Sequence, residues 1–253
     1  MTIRVGCCGN AGMSLREYSC HFELMELQST FYRLPRASTA KGWREAVGKG
    51  FEFTMKAFQG VTHPRSSPTW RRAGGQAPGE GVEVGHFALN DFTLKAWNET
   101  MEVAELLGVG YVVVQLPPSF VYGEENMRRM GSFFSRVSFR CRPVVEFRHT
   151  SWFSRMDEVA SHLRELGTWV VTDPLKGQRV RQDVQYCRLH GMGGLVNYRH
   201  RYSDRELARL LEELEGQDAY VLFNNLSMKE DALRFKALCG AREKAPPQGS
   251  REG

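Results

Sequence analysis

Tyr111-Val112-Val113-Val114-Gln115-Leu116 decides the fold. The run is almost continuously apolar and β-branched, with no polar residue at alternate positions. Such a strand is buried on both faces, as in parallel sheets covered by helices. Immediately before it, Ala88 to Leu107 predicts the best helix in the chain. Leu94, Trp97, Met101, Ala104 and Leu107 recur at spacings of three or four and make one apolar face. Gly108 is its expected stop. A helix feeding a doubly buried strand is the repeating unit of parallel α/β architecture.

Working outward, the same alternation recurs. Strands are expected at Ile3 to Cys8, Phe22 to Leu27, Phe51 to Ala57, Pro143 to Phe147, Trp169 to Thr172, Gln185 to Leu189 and Ala219 to Phe223. Helices are expected at Ser14 to Cys20, Thr39 to Val47, Asn126 to Val137, Met156 to Leu166, Ser203 to Leu214 and Ser227 to Leu238. Ser203 with Glu206 has the capping-box spacing. Two stretches interrupt the rhythm. From Phe58 to about His86, glycines and prolines predict a long excursion with one helical turn near Trp70. Between Thr172 and Gln185, Pro174 and Gly177 predict a loop in place of a helix. Eight strand units favour a single closed, TIM-like (β/α) barrel over residues 1–239. The open doubly wound sheet is the second choice, and Gly6 to Gly12 is too loose a match to a dinucleotide loop to support it. The polar stretch 240–253 is expected to be a disordered tail.

The 253 residues carry a net charge of +5, and the 34 basic residues divide into 26 Arg and 8 Lys. Arginine forks suit phosphates, but the same bias arises from genome composition or thermophily. No two of the six cysteines form a CxxC pair, and several lie in apolar strands, so a reducing compartment is expected. The first residues lack the apolar stretch of a signal peptide, and no run approaches the ~20 apolar residues of a membrane helix. The expectation is a cytoplasmic protein with no membrane partner.

The residues that end the strands carry the functional signal. They are Asn10, Glu26 with Thr30 beyond it, Lys56, Gln115, Glu146 with Arg148 and His149, Asp173, Arg188 with His190, and Asn224 with Asn225. In a closed barrel all eight ends meet at one mouth, which is where this architecture carries chemistry. Glu26, Glu146 and Asp173 suit acid, base or metal-ligand roles. Lys56 suits a Schiff-base amine, a general base of depressed pKa or a phosphate clamp. Arg148 and Arg188 suit a phosphate or carboxylate. His190, His149 and His63 suit proton relay, substrate binding or a divalent metal, although no HxH or HExxH spacing supports a metal. Tyr32 and Trp152 either stack on a base or sugar or plug the barrel rim. Ser29 and Ser151 lack a nucleophile elbow.

Several blocks then acquire a common meaning. Glu26-Leu27-Gln28-Ser29-Thr30-Phe31-Tyr32-Arg33-Leu34-Pro35 resembles the E-(I/L)-N-x-T-F-Y-R-x-P signature of domain of unknown function 72, the YecE-like family. Phe53 to Ala57 with Thr62-His63, Gln115 to Phe120, Glu146 to Trp152, Arg188 to Gly191, and Phe223 to Asn225 resemble its other blocks, in order. The resemblance implies a TIM-like barrel and assigns no established activity. Its barrels are similar to those of sugar-phosphate isomerases and apurinic endonucleases, which suggests a nucleic-acid role by fold analogy alone. Two departures alter one side of the mouth: a short Gly9 to Met13 loop, and Gln28 in place of asparagine. Three functions are carried forward. The first is an enzyme hydrolysing an anionic or phosphorylated substrate, DNA or RNA included, by acid–base or metal-assisted chemistry. The second is a sugar or sugar-phosphate isomerase. The third is a non-catalytic anion-binding barrel.

Overall fold

A computed structural model describes residues 2–244. Eight parallel strands close on themselves in sequence order. They are β1 (Ile3–Cys8), β2 (Leu24–Leu27), β3 (Glu52–Lys56), β4 (Tyr111–Gln115), β5 (Arg142–Glu146), β6 (Trp169–Thr172), β7 (Val184–Leu189) and β8 (Asp218–Phe223). Helices α1 (Leu15–Ser19), α2 (Ser29–Tyr32), α3 (Ala37–Glu45), α4 (Asp91–Leu107), α5 (Glu124–Arg136), α6 (Met156–Glu165), α7 (Asp204–Glu213) and α8 (Met228–Lys244) lie between and after them.

The strands divide their side chains between two cores by the period of two. In β4, Val112 and Val114 join the large layer beneath the helices, while Val113 faces the barrel axis with Leu24, Val144, Val171, Tyr186 and Leu222. Aromatic rings close the far end: Tyr111 contacts Trp169 and Tyr220, with ring centroids 5.6 and 4.7 Å away. The barrel is therefore plugged by apolar side chains below and polar ones above.

The register leaves β1 pressed against β2, with Gly6 opposite Leu24. A Cβ on Gly6 would lie 2.1 Å from the Leu24 carbonyl oxygen. Gly6→Ala is expected to force that ladder apart and cost about 3 kcal/mol or more. Urea unfolding checks this, and an unchanged midpoint would contradict the packing described.

Most sequence expectations hold within two residues. α4 starts at Asp91, because Asn90 caps it by accepting from the Thr93 N–H at 3.0 Å. Gly108 adopts the left-handed conformation, and α7 has its full capping box. The unit after β6 has only a 3-10 turn, Pro174–Lys176. Three expectations are corrected. Phe22 belongs to the turn after α1, since its N–H bonds to the Tyr18 carbonyl, so β2 begins at Leu24. The short helix α2 was not anticipated inside the Glu26 to Pro35 block. The tail does not start at Gly240: α8 continues to Lys244, and the rest of the expected tail lies outside the described residues. Among the described residues no helix is long and apolar enough to cross a membrane.

Candidate active site

The inward parity that puts Val113 and Tyr186 on the axis also puts Glu26, Lys56, Gln115, Glu146 and Arg188 at the upper rim. Lys56, Glu146 and His190 are each about 5% exposed; Glu26 and Arg188 are fully buried. Arg188 lies between two carboxylates. One terminal nitrogen is 2.9 Å from Glu26 Oε1, and the other donates to Glu146 Oε2. Glu26 has two further partners: the Gln28 amide donates to Oε1, and the Tyr186 hydroxyl lies 2.8 Å from Oε2. Tyr186 is also 2.8 Å from Thr54 Oγ1.

A second layer of contacts runs from β3 to β7. Lys56 Nζ donates to Gln115 Oε1 at 2.8 Å, and Arg148 Nη2 reaches the same oxygen at 3.1 Å. Arg148 Nη2 is also 3.0 Å from Glu146 Oε2 and 3.0 Å from His190 Nε2. His190 Nδ1 lies 3.0 Å from the Arg188 carbonyl, which only accepts. That contact assigns the proton to Nδ1 and leaves Nε2 as the acceptor from Arg148. Lys56 Nζ also sits 3.9 Å above the Phe31 ring.

Burial and charge then sort these groups. Burial, with Arg188 adding to it, lowers the Lys56 ammonium from its ordinary 10.5 to about 7. Burial alone would raise Glu146, but Arg148, Arg188 and His190 overcome it and hold the carboxyl well below its usual range. Burial pushes His190 well down, so it is neutral. Asp173, at the end of β6, is raised by burial to about 6, although Lys176 Nζ lies 3.3 Å from Oδ2. Neither Asp173 oxygen has a hydrogen bond of good geometry. Two groups on one mouth thus titrate near neutrality, which structural ion pairs do not require.

A carboxyl whose folded pKa is raised binds extra protons in the folded state between about 4 and 6. Stability therefore falls as pH rises through that window and stays reduced above it. Asp173→Asn is expected to stabilise the protein by about 2 kcal/mol at pH 8, with the gain vanishing near pH 4. Denaturant melts at both pH values check this; a loss at pH 8 would contradict it.

The remaining expected site residues divide. Glu146, Arg148, Asp173, Arg188 and His190 line one small cavity of about 30 Å³, room for a water or two. Phe153, Lys176, Gln178 and Leu195 connect it with an open groove of about 620 Å³. The others make contacts of their own. Thr30 donates to the backbone of Leu27 and Lys56. Asn225 donates to the His200 carbonyl and to Asp231, which pins the start of α8. Trp152 is fully buried, stacks on Phe147 and Phe120, and donates to the Phe120 carbonyl. It plugs the rim. His63 is buried beside Thr62 and edge-on to Phe31, with its pKa lowered by burial to about 3. His149 caps the 3-10 turn at Thr150–Arg155, accepting from Ser151 N–H. Asn224 is half-buried at the end of β8. Tyr32 points to a separate groove, with Arg72 stacked 3.6 Å from its ring centroid.

Gln28 joins the site beside Glu26; Tyr186, Thr54 and Lys176 also belong to it, and reading only the strand ends passes over them. Tyr186 was legible by parity, two residues before Arg188 on the same face. Among the described residues no three His, Cys, Asp or Glu side chains gather as a ligand set. Arg188 stands between the two glutamates and takes an oxygen of each.

The family model described as protein of unknown function DUF72 matches residues 8–251. The chain is 28% identical over 246 residues to the UPF0759 protein YunF of Bacillus subtilis (strain 168), covering 84% of this chain and 80% of that one. The DUF72 family protein EF0366 of Enterococcus faecalis V583 superposes with a TM-score of 0.71 at 20% identity, covering 94% of this chain and 98% of the other. More distant barrels share the fold alone. Endonuclease IV from Thermus thermophilus matches at a TM-score of 0.51 and 17% identity, over 96% and 99% of the two chains. A xylose isomerase domain containing protein from Salmonella typhimurium LT2 matches at 0.54 and 14%, over 95% and 96%.

Proposed function

The chain belongs to the DUF72 family, and we propose that its barrel mouth is an acid–base active site for a phosphate-bearing substrate. One observation carries the reading. Lys56 at the end of β3 and Arg148 just beyond β5 converge on the single neutral oxygen of Gln115. Two cation heads, one buried and one partly buried, meeting on an amide oxygen form a cradle that an anionic oxygen fits better. A phosphate oxygen displacing Gln115 would satisfy both.

The roles then differ from group to group. Glu26 and Glu146 are fixed counter-ions that hold Arg188 and Arg148 in place. His190 positions Arg148 through Nε2. The proton movers are the two groups poised near neutrality: Asp173 as base, accepting a proton from water, and Lys56 as acid, giving one to the leaving oxygen. The attacking water forms a new P–O bond as the bond to the leaving oxygen breaks, and each proton is accounted for. The groove of about 620 Å³ beside Lys176 is the entry path.

The test is turnover with labelled DNA and RNA oligonucleotides and with phosphorylated sugars, each run beside Asp173→Asn. Phosphate-ester cleavage is expected, with kcat/KM rising above pH about 6 and falling above about 7. Isomerisation of sugar phosphates without cleavage would move the same residues to the isomerase reading. No turnover of either class would sink both.

A further inference from the structure

The signature block that ends β2 continues through α2 into the Tyr32-Arg33-Leu34-Pro35 segment. It forms one wall of a groove of about 850 Å³, and the 72–76 segment after β3 forms the other. Gln76 ties the walls together: its Oε1 accepts from Leu34 N–H at 2.8 Å, and its Nε2 donates to the Leu34 carbonyl at 3.2 Å.

The chemistry of this groove is one-sided. Arg33, Arg36 and Arg72 line it, all exposed, and no carboxylate does. Some other exposed arginines lie in ion pairs, such as Arg140 with Glu105 or Arg155 with Glu158. Among the described residues none of these three has such a pair. Tyr32 and the half-buried Trp43 add aromatic surface. The Arg72 guanidinium lies over the Tyr32 ring, 3.6 Å from its centroid, an arrangement that arginine's planar cation favours.

Unneutralised arginine forks beside aromatic rings form the pattern that binds nucleotides, with forks on phosphates and bases against ring faces. We propose that the Arg33–Arg36–Arg72 groove binds a nucleotidyl group, either free or within a single strand. The site requires neither Lys56 nor Arg148, so it stands or falls apart from the reading of the mouth.

Fluorescence anisotropy of labelled decathymidylate with the full chain tests it. The variants are Arg33→Gln/Arg36→Gln/Arg72→Gln, all surface changes, and Lys56→Met. Three phosphate contacts give a salt slope of about two on a log–log scale, so between 50 and 200 mM salt wild-type affinity should fall about 20-fold more than that of the triple variant. The triple change should lower affinity and slope by the same factor in the Lys56→Met background as in the wild type. Competition by free AMP identifies the single-nucleotide source; competition by unlabelled strand alone identifies the polymer. Equal affinity and slope in wild type and triple variant would overturn the proposal. So would wild type binding neither strand nor nucleotide, or binding lost in Lys56→Met and kept in the triple variant.

Discussion

Arg188→Met is expected to cost about 3–5 kcal/mol of folding stability, the largest effect of any single polar replacement in this chain. Arg188 is fully buried and lies between two buried carboxylates, and its loss leaves Glu26 and Glu146 facing each other without their shared cation. Arg148 and His190 still touch Glu146. Glu26 keeps only neutral partners, Tyr186 and Gln28. The cost should therefore shrink in Glu26→Gln/Arg188→Met, which removes the stranded charge along with its partner. Urea denaturation of both variants measures it. A double variant as unstable as the single one would show that packing, and not the uncompensated carboxylate, sets the cost.

Lys56→Met should do the opposite to stability and abolish the chemistry. The folded pKa of Lys56 is depressed from 10.5 to about 7, so between those values the unfolded chain binds more protons than the folded one. Stability of the wild type therefore rises with pH across that window, and the full cost is present below pH 7. Methionine fills the same space without a charge to desolvate. It should stabilise the protein by roughly 3 kcal/mol at pH 6, with the gain fading towards pH 10. The same variant should lose about 10²–10⁴-fold in phosphate-ester turnover, the range for a missing general acid. A residue whose removal stabilises the fold and destroys activity is kept for function. Lost stability at pH 6, or activity within a few-fold of wild type, would contradict this.

Much of this architecture was legible in the sequence, for a physical reason. Parallel strands buried on both faces leave runs such as Tyr111 to Leu116, and helices between them leave the spacing seen from Leu94 to Leu107. Closure of the barrel then made the convergence of Glu26, Lys56, Gln115, Glu146, Arg188 and His190 a matter of topology. What stayed hidden depended on side-chain direction. Thr30 and Asn225 sit just beyond strand ends, where Thr30 bonds to the Leu27 and Lys56 backbone and Asn225 to His200 and Asp231. Trp152 and His63 point into packed surroundings instead of the opening. Tyr186 shares the face of Arg188 two residues on, but its buried hydroxyl contact with Glu26 depends on the fold.

The chemistry proposed for the mouth requires a lysine deprived of water at its centre. Carbon-13 labelling of the lysine side chains, followed by NMR from pH 5 to 11, observes it without any substrate. One resonance is expected to titrate near pH 7 and to disappear in Lys56→Met. Every lysine titrating above pH 10 would mean that water reaches Lys56, and the proposed acid would have no basis.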